Sequence, residues 1–320
     1  MKSMARTGPS LFVIPTGFEP VADRLEICCS IQLSYGTPSF FGAKVIFRTV
    51  VSKSVAIFAR YNPFPSPAME QLLRLEPVID TVYRIRSRRP VRRIPESADE
   101  AVLQAILAGN PAHFAAREAL ADRLVAAGRI GEACQLRLEG CRLVFDLLDG
   151  VADETVALDW EDAGTAQALT MVYDSAADHF VIGDFELAAA MLEMLTDCDP
   201  EDHLNGAELL VFCYGALEEW ELFDETLQRL PPEALSTRLA VCWGDFRRSV
   251  ELSPAVRERM RTAEPQLFRE WTATQHELPS DRESDGESGH ETAAAEARRL
   301  WLRTESLWRA FPEFAEYLKG

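Results

Sequence analysis

Beyond residue 96 the apolar side chains recur every three or four residues, the spacing of an amphipathic α-helix. Ser97 and Glu100 have the spacing of a capping box, which predicts a helix start at Ser97, and Gly109 ends that segment. A second apolar segment runs to Gly128, and a third covers residues 130–150. Short links containing glycine between such segments predict helices that run antiparallel to their neighbours.

Residues 169–202 carry small, aromatic and turn-forming side chains at offsets that suit a helical hairpin. These structural positions are Ala176, Gly183, Phe185, Ala188 and Pro200. A glycine permits a tight reversal, an alanine lets two helices approach, and a proline ends a helix. The segment resembles a tetratricopeptide repeat, a helix–turn–helix unit of about 34 residues. It departs from that family at Val172 and His179, where the family often has Trp and Tyr.

The neighbouring segments match this repeat more loosely. Residues 121–133 match its first half, but Arg137 and Gly140 depart from it, so we expect the second helix to run past the usual length. Residues 204–237 match as well, although their turn lacks a glycine. The resemblance implies an all-α fold, a TPR-like α-solenoid of antiparallel helix pairs over residues 97–275.

The resemblance also implies a binding surface. In the family, the first helices of successive repeats line a concave groove that holds a peptide or a partner helix. Transferring the groove positions to this chain gives Tyr173, Asn205, Glu208 and Phe212. An alternative remains open, in which Tyr173 and Phe212 are simply packed between repeats.

The chain ends in an aromatic helix. Residues 276–292 are rich in Ser, Asp, Glu and Gly and predict a disordered acidic loop. Residues 293–320 regain helical periodicity and include Trp301, Trp308 and Phe311. We expect this segment to pack back as a capping helix, because helical repeat arrays need a cap at each end. The alternative is a docking helix for another chain.

Residues 1–68 form a segment of different character, disordered or artefactual. Residues 15–37 resemble a transfer-RNA gene translated from its antisense strand: Gly17–Pro20 fits the reverse complement of a T-arm, and Cys29–Tyr35 that of a D-arm. We therefore expect a mis-called start and a native protein that begins near Met69. A genuine β-rich segment around residues 39–61 is the alternative.

Charge divides the chain into two parts. The net charge is −18, yet residues 1–95 carry 14 basic and 6 acidic side chains. Residues 69–96 predict a basic linker or arm that includes the run RIRSRRPVRRIP. The arm at residues 84–93 suits a helical regulator associated with nucleic acid, although an acidic body repels nucleic acid and the run lacks aromatic residues for base stacking. A solvated extension is the simpler interpretation.

No motif in the sequence indicates catalysis, a cofactor or a metal. Asp159, Glu161 and Asp162 around Trp160 suit paired acids of a hydrolase, or caps of the helix that follows. The acidic residues of segment 197–203 lack the pattern of a calcium-binding loop. The seven cysteines include no C-x-x-C pair, and reduced thiols in a cytoplasm are the simplest reading.

These observations together predict a non-enzymatic protein without cofactors. The apolar stretch 43–59 is interrupted by Arg48 and Lys53, so no membrane span is expected. We expect a cytoplasmic, acidic adaptor or scaffold for protein–protein interaction, whose partner is another protein or peptide. A nucleic-acid partner is less favoured, and a membrane partner is not expected.

Overall fold

A computed structural model describes residues 72–149, 151, 156–249, 254–276 and 292–320. The chain divides into two units, and all described residues belong to the second unit, Gly42–Gly320. The predictions for residues 1–68, for a start at Met69 and for a loop over 277–291 lie outside the described residues.

The described residues form three strands and twelve helices. The strands are β1 (Leu73–Ile79), β2 (Val82–Ser87) and β3 (Ala157–Leu158). The helices are α1 (Glu100–Gly109), α2 (Phe114–Ala126), α3 (Ile130–Asp149), α4 (Ala163–Val181), α5 (Phe185–Cys198), α6 (Gly206–Leu217), α7 (Trp220–Arg229), α8 (Leu235–Arg248), α9 (Pro254–Ala263), α10 (Pro265–Thr272), α11 (Ala293–Ala310) and α12 (Glu313–Lys319). The fold is therefore mostly helical, as the apolar periodicity predicts, with one small sheet that the sequence analysis did not anticipate.

That sheet replaces the basic linker predicted before residue 97. β1 and β2 form an antiparallel hairpin in which Leu73 pairs with Ser87, and β3 lies parallel to β2 on the other side. Along β2 the side chains alternate, so Ile85 is buried while Arg84 and Arg86 stay partly exposed. An arginine-rich stretch can thus form a strand, because only every second side chain must enter the core.

Three of the described helices begin at an aspartate cap. Asp99 accepts from the Val102 amide at 2.9 Å, so α1 starts two residues later than the capping box at Ser97 predicted. Asp162 and Asp184 cap α4 and α5 in the same way. A carboxylate at this position also favours the positive end of the helix dipole.

Three helix pairs reverse through a residue in left-handed conformation. The φ angles are +76° at Gly128, +83° at Gly183 and +61° at Glu218. In each turn the next amide donates to the carbonyl five residues earlier, at 2.8 Å, 2.9 Å and 3.0 Å. This is the long-range bond of a Schellman motif. Glu218 therefore adopts the backbone conformation that glycine supplies in the other two turns.

Replacing Gly183 with alanine is expected to lower the free energy of unfolding by about 1–2 kcal/mol, because a Cβ strains a left-handed residue even where space is open. Glu218→Gly should change stability in the opposite direction, by up to about 1 kcal/mol. Urea denaturation followed by circular dichroism measures both. Gly131→Ala is the control, because Gly131 has open space around it and no positive φ. The stability of this variant should equal or exceed that of wild type. Equal losses at Gly183 and Gly131 would contradict the argument.

Two clusters of buried side chains hold the helices together. The smaller cluster joins α1, α2 and the start of α3 through Leu103, Leu120 and Leu124. The larger one extends from β1 to α12 and includes Ala176 and Ala188, both fully buried. Consecutive helices from α1 to α7 pack on one another. Helix α3 is 20 residues long, which confirms that it runs past the usual length of a repeat helix.

Candidate functional site

Helix α11, the last but one helix, lies on the surface that was predicted to bind a partner. α11 packs on α4 and α8, and its side chains also reach α6. These are the first helices of three successive pairs. Tyr173 on α4 and Glu208 and Phe212 on α6 are brought together beneath α11. We call Tyr173, Glu208, Phe212 and Trp243 of α8 the α11-binding surface.

Arg303 is the polar contact of α11 with this surface. Its Nη2 donates to the hydroxyl oxygen of Tyr173 at 2.9 Å, and its Nη1 donates to Oε2 of Glu208 at 3.1 Å. Burial raises the pKa of Tyr173, so the phenol stays neutral and can accept this bond. One guanidinium thus ties two helices to α11, and its fixed geometry sets the position of α11 along them.

Trp308 is the apolar contact. The indole is 3% exposed, and it meets the rings of Phe212 and Trp243 edge to face, at centroid distances of 6.3 Å and 5.7 Å. Its Nε1 donates to Oγ1 of Thr304 at 2.8 Å, one turn earlier in the same helix. A large aromatic side chain with a satisfied N–H is well suited to anchor a helix in an apolar site.

The remaining predicted positions lie at turns and crossings. Phe185, at the start of α5, contacts the rings of Phe180 and Phe311. Pro200 is exposed, two residues beyond the end of α5. Asn205 lies at the start of α6 with φ +53° and is exposed, apart from the α11-binding surface. Its side chain does not cap α6.

The aromatic tail packs back on the chain, whereas its predicted role as the cap of a repeat array stays a prediction. It lies across α4, α6 and α8, and Ser306 donates to the carbonyl of Phe180 at 3.0 Å. Phe212 is 1% exposed, so the side chain predicted to face a partner is covered by the protein's own helix. The sequence analysis missed Arg303, although its spacing from Leu300 and Leu307 places a charged residue on the apolar face of α11.

Two of the three acids around Trp160, Asp159 and Asp162, serve the fold. Asp159 accepts from Arg84 at 2.7 Å, which links the strand hairpin to the start of α4. Asp162 caps α4 and accepts from Arg86 at 2.7 Å, and these donors hold its pKa low despite partial burial. The capping alternative is therefore confirmed for Asp162, while Asp159 pairs with Arg84 instead.

The acidic segment 197–203 also has a structural role. Asp199 is buried and accepts from the amide and the Nδ1 of His203 at 2.9 Å and 2.7 Å. Asp202 accepts from the amides of Gly206 and Ala207 and so caps α6 in place of Asn205. Among the described residues, no group of His, Cys, Asp and Glu is arranged to hold a metal ion.

The arginines of the predicted basic arm are largely engaged within the fold. Besides Arg84 and Arg86, Arg88 donates to the carbonyl of Leu73, and Arg89 to that of Gly109. Arg92 and its neighbour at 93 remain exposed. Arg84 and Arg86 are thus half-buried, whereas Arg88 and Arg89 stay exposed despite these bonds. In the part of the chain that the structure describes, no helix is both long and apolar enough to cross a membrane.

Five cysteines fall within the described residues, and all are free thiols. Cys134 and Cys141 lie on α3, as their spacing predicts, and burial raises the pKa of Cys134 to about 12. Burial likewise raises the pKa of Cys198, Cys213 and Cys242. These thiols stay protonated at neutral pH, so they are weak nucleophiles and serve as core side chains.

A buried arginine gathers carboxylates from two helices. Arg137 of α3, with its side chain 1% exposed, contacts Glu118 and Asp122 of α2 and Asp178 of α4 at 2.6 Å, 3.3 Å and 3.4 Å. Asp174, one turn before Asp178, is half-buried beside these acids. Burial, together with the neighbouring carboxylates, raises the pKa of Asp174 to about 7.

This raised pKa predicts a stability that falls with rising pH. Because folding raises the pKa of Asp174, its stabilising effect is complete at low pH and is lost between about pH 4 and 7. Asp174→Asn should therefore be more stable than wild type at pH 8, by about 1–3 kcal/mol, and equal to it near pH 4. Denaturant titrations at the two pH values measure this. Exposed Glu225→Gln is the control, and equal stability of Asp174→Asn and wild type at pH 8 would refute the assignment.

Comparison of the chain with protein-family models, with curated proteins and with solved structures gave no match.

Proposed function

We propose that this protein is a non-catalytic, cytoplasmic adaptor built on TPR-like helix pairs, and that its α11-binding surface recognises a helix of another protein. The observation that carries the proposal is the occupied surface itself. Tyr173, Glu208 and Phe212, chosen from the sequence as positions for a partner, all contact one helix. A surface that positions an arginine and a tryptophan from one helix has the chemistry for helix recognition.

The spacing of the turns supports the repeat. The left-handed residues Gly183 and Glu218 are 35 residues apart, close to the 34-residue period of the tetratricopeptide unit. The interval from Gly128 to Gly183 is longer because it contains the extended α3 and the strand β3. The first helices of these pairs would then line one face, which is the face that α11 covers.

The chemistry of the described residues favours binding over catalysis. The candidate acids are engaged by Arg84 and Arg86, and the thiols are protonated in the core. Beneath α11 lies a set of aromatic and hydrogen-bonding side chains that hold a helix. An adaptor needs such a surface and no reacting group.

Affinity purification at native expression tests the proposal. The chain carries a C-terminal tag, and quantitative mass spectrometry compares wild type with Glu208→Arg, which repels an arginine in the bound helix. The matched control is Glu225→Arg, the same charge change on the exposed side of α7. We expect a stoichiometric partner with wild type and the control, reduced at least tenfold with Glu208→Arg. Recovery of the same partner with all three chains would contradict the assigned surface.

A further inference from the structure

We propose that α11 is an intramolecular ligand, and that a partner helix with the same pattern replaces it on the α11-binding surface. The pattern is Leu, Arg, Leu and Trp at the spacing of residues 300, 303, 307 and 308 of this chain. The proposal rests on the adaptor function, because it specifies which class of helix that surface accepts and what the helix must displace.

The polar part of the recognition is at the edge of the contact. Arg303 is 36% exposed on its side chain, and Glu208 is 25% exposed. An ion pair of this kind contributes little to affinity but selects an arginine at one position and fixes the register. The second bond, to the Tyr173 hydroxyl, comes from the other terminal nitrogen of the planar guanidinium, an arrangement that the single ammonium nitrogen of a lysine does not reproduce.

The apolar part supplies the affinity. Leu300, Leu307 and Trp308 are buried against the larger core cluster. Together with Arg303 they follow one helical face, at offsets of three, seven and eight residues. This is the arrangement by which an amphipathic helix binds a groove, with a central aromatic anchor and a polar edge.

Two buried indoles show that α11 leaves hydrogen bonds unmade. Trp243 and Trp271 are fully buried, and their Nε1 donors have no acceptor among the described residues. Both rings contact α11 side chains: Trp308 touches both, and Trp301 touches Trp271. An unmade buried hydrogen bond is costly. A partner helix with a hydroxyl or carboxamide in place of Trp301 gains a bond that α11 does not make.

Because α11 is part of the same chain, it competes for the α11-binding surface at an effective concentration of about a millimolar, far above that of a partner helix in solution. A partner helix must therefore bind the open surface tightly, or arrive when α11 is weakened. This requirement excludes helices that match the pattern poorly, so the internal ligand raises specificity.

Rescue by a peptide tests the proposal. The probe is a fluorescent peptide of residues 292–312, and the protein is the full chain, either wild type or Arg303→Ala/Trp308→Ala. The double variant weakens α11 but leaves the α11-binding surface intact. We expect it to bind the peptide at least tenfold more tightly than wild type in fluorescence anisotropy, and its Tm to rise as peptide is added. A peptide carrying the same two substitutions is the control and should bind neither chain.

If the double variant does not fold, the single variant Arg303→Ala replaces it in the experiment, because this variant keeps the buried indole of Trp308. Equal weak binding of both peptides to every chain would overturn the proposal. Concentration-dependent dimerisation of the wild-type chain, abolished by Trp308→Ala, would overturn it too, because a second copy would then be the occupant. If the peptide does not bind, the outcome of the purification experiment is unchanged. The two experiments therefore test the adaptor function and this inference separately.

Discussion

Replacing Trp308 with alanine is expected to lower the free energy of unfolding by about 3–5 kcal/mol, the largest effect of any single aromatic truncation in α11. The indole contacts the rings of Phe212, Trp243, Trp271 and Phe314, which come from four different helices. Alanine removes these contacts and leaves a cavity that the surrounding large rings cannot fill. Urea denaturation followed by far-UV circular dichroism and by tryptophan fluorescence measures the loss.

The neighbouring Arg309→Ala is the matched control. Arg309 lies on the same helix with its side chain 73% exposed and pairs with Glu305, one turn earlier. Exposed i,i+4 pairs contribute little, so this variant should unfold close to wild type. A loss below about 1 kcal/mol for Trp308→Ala would mean that Trp308 does not anchor α11 on the α11-binding surface.

The helices were predictable because their signals are local. Apolar spacing, acidic caps and glycine turns act within a few residues, so the sequence around Asp162 and Gly183 was enough to predict the start of one helix and the turn after it. The cap of α1 shows the limit of such signals. Ser97 and Asp99 both suit a cap, and the carboxylate nearer the apolar segment is the one that caps the helix.

The strand hairpin was not predictable in the same way. Its arginines favour a linker by composition, while the groups that neutralise them lie about 75 residues later in the sequence. Arg84 and Arg86 form ion pairs only when the fold brings Asp159 and Asp162, at the start of α4, next to β2. A stretch whose partners are distant in the chain cannot reveal its structure through its own residues.

The same contrast between local signals and distant contacts applies to the candidate site. Tyr173, Glu208 and Phe212 could be chosen from a repeat pattern, because that pattern fixes which positions share a face. The occupant of that face could not be chosen, since Arg303 is 130 residues from Tyr173 and only the packing of α11 joins them. The sequence therefore predicted that these residues share a face without predicting that α11 covers it.

Replacing Arg137 with methionine is expected to lower the free energy of unfolding by about 3–5 kcal/mol at pH 8. The substitution keeps much of the buried volume but leaves Glu118 and Asp178 beside Asp174 without their common counter-charge. The cost arises from uncompensated carboxylates rather than from lost packing. Arg129→Met, which breaks only exposed pairs with Glu100 and Glu132, should be hard to distinguish from wild type.

The pH dependence separates this cause from a packing defect. Burial already raises the pKa of Glu118 and of Asp178 in the wild type, and removal of Arg137 raises both further. Because their folded pKa values then lie above the unfolded ones, the folded variant takes up protons as the pH falls and recovers stability. The difference in free energy of unfolding between Arg137→Met and wild type should therefore be smaller at pH 5 than at pH 8. Adding Asp178→Asn to the Arg137→Met chain should reduce the same difference at pH 8. If this difference in free energy of unfolding did not change with pH, lost packing alone would explain the lower stability of Arg137→Met.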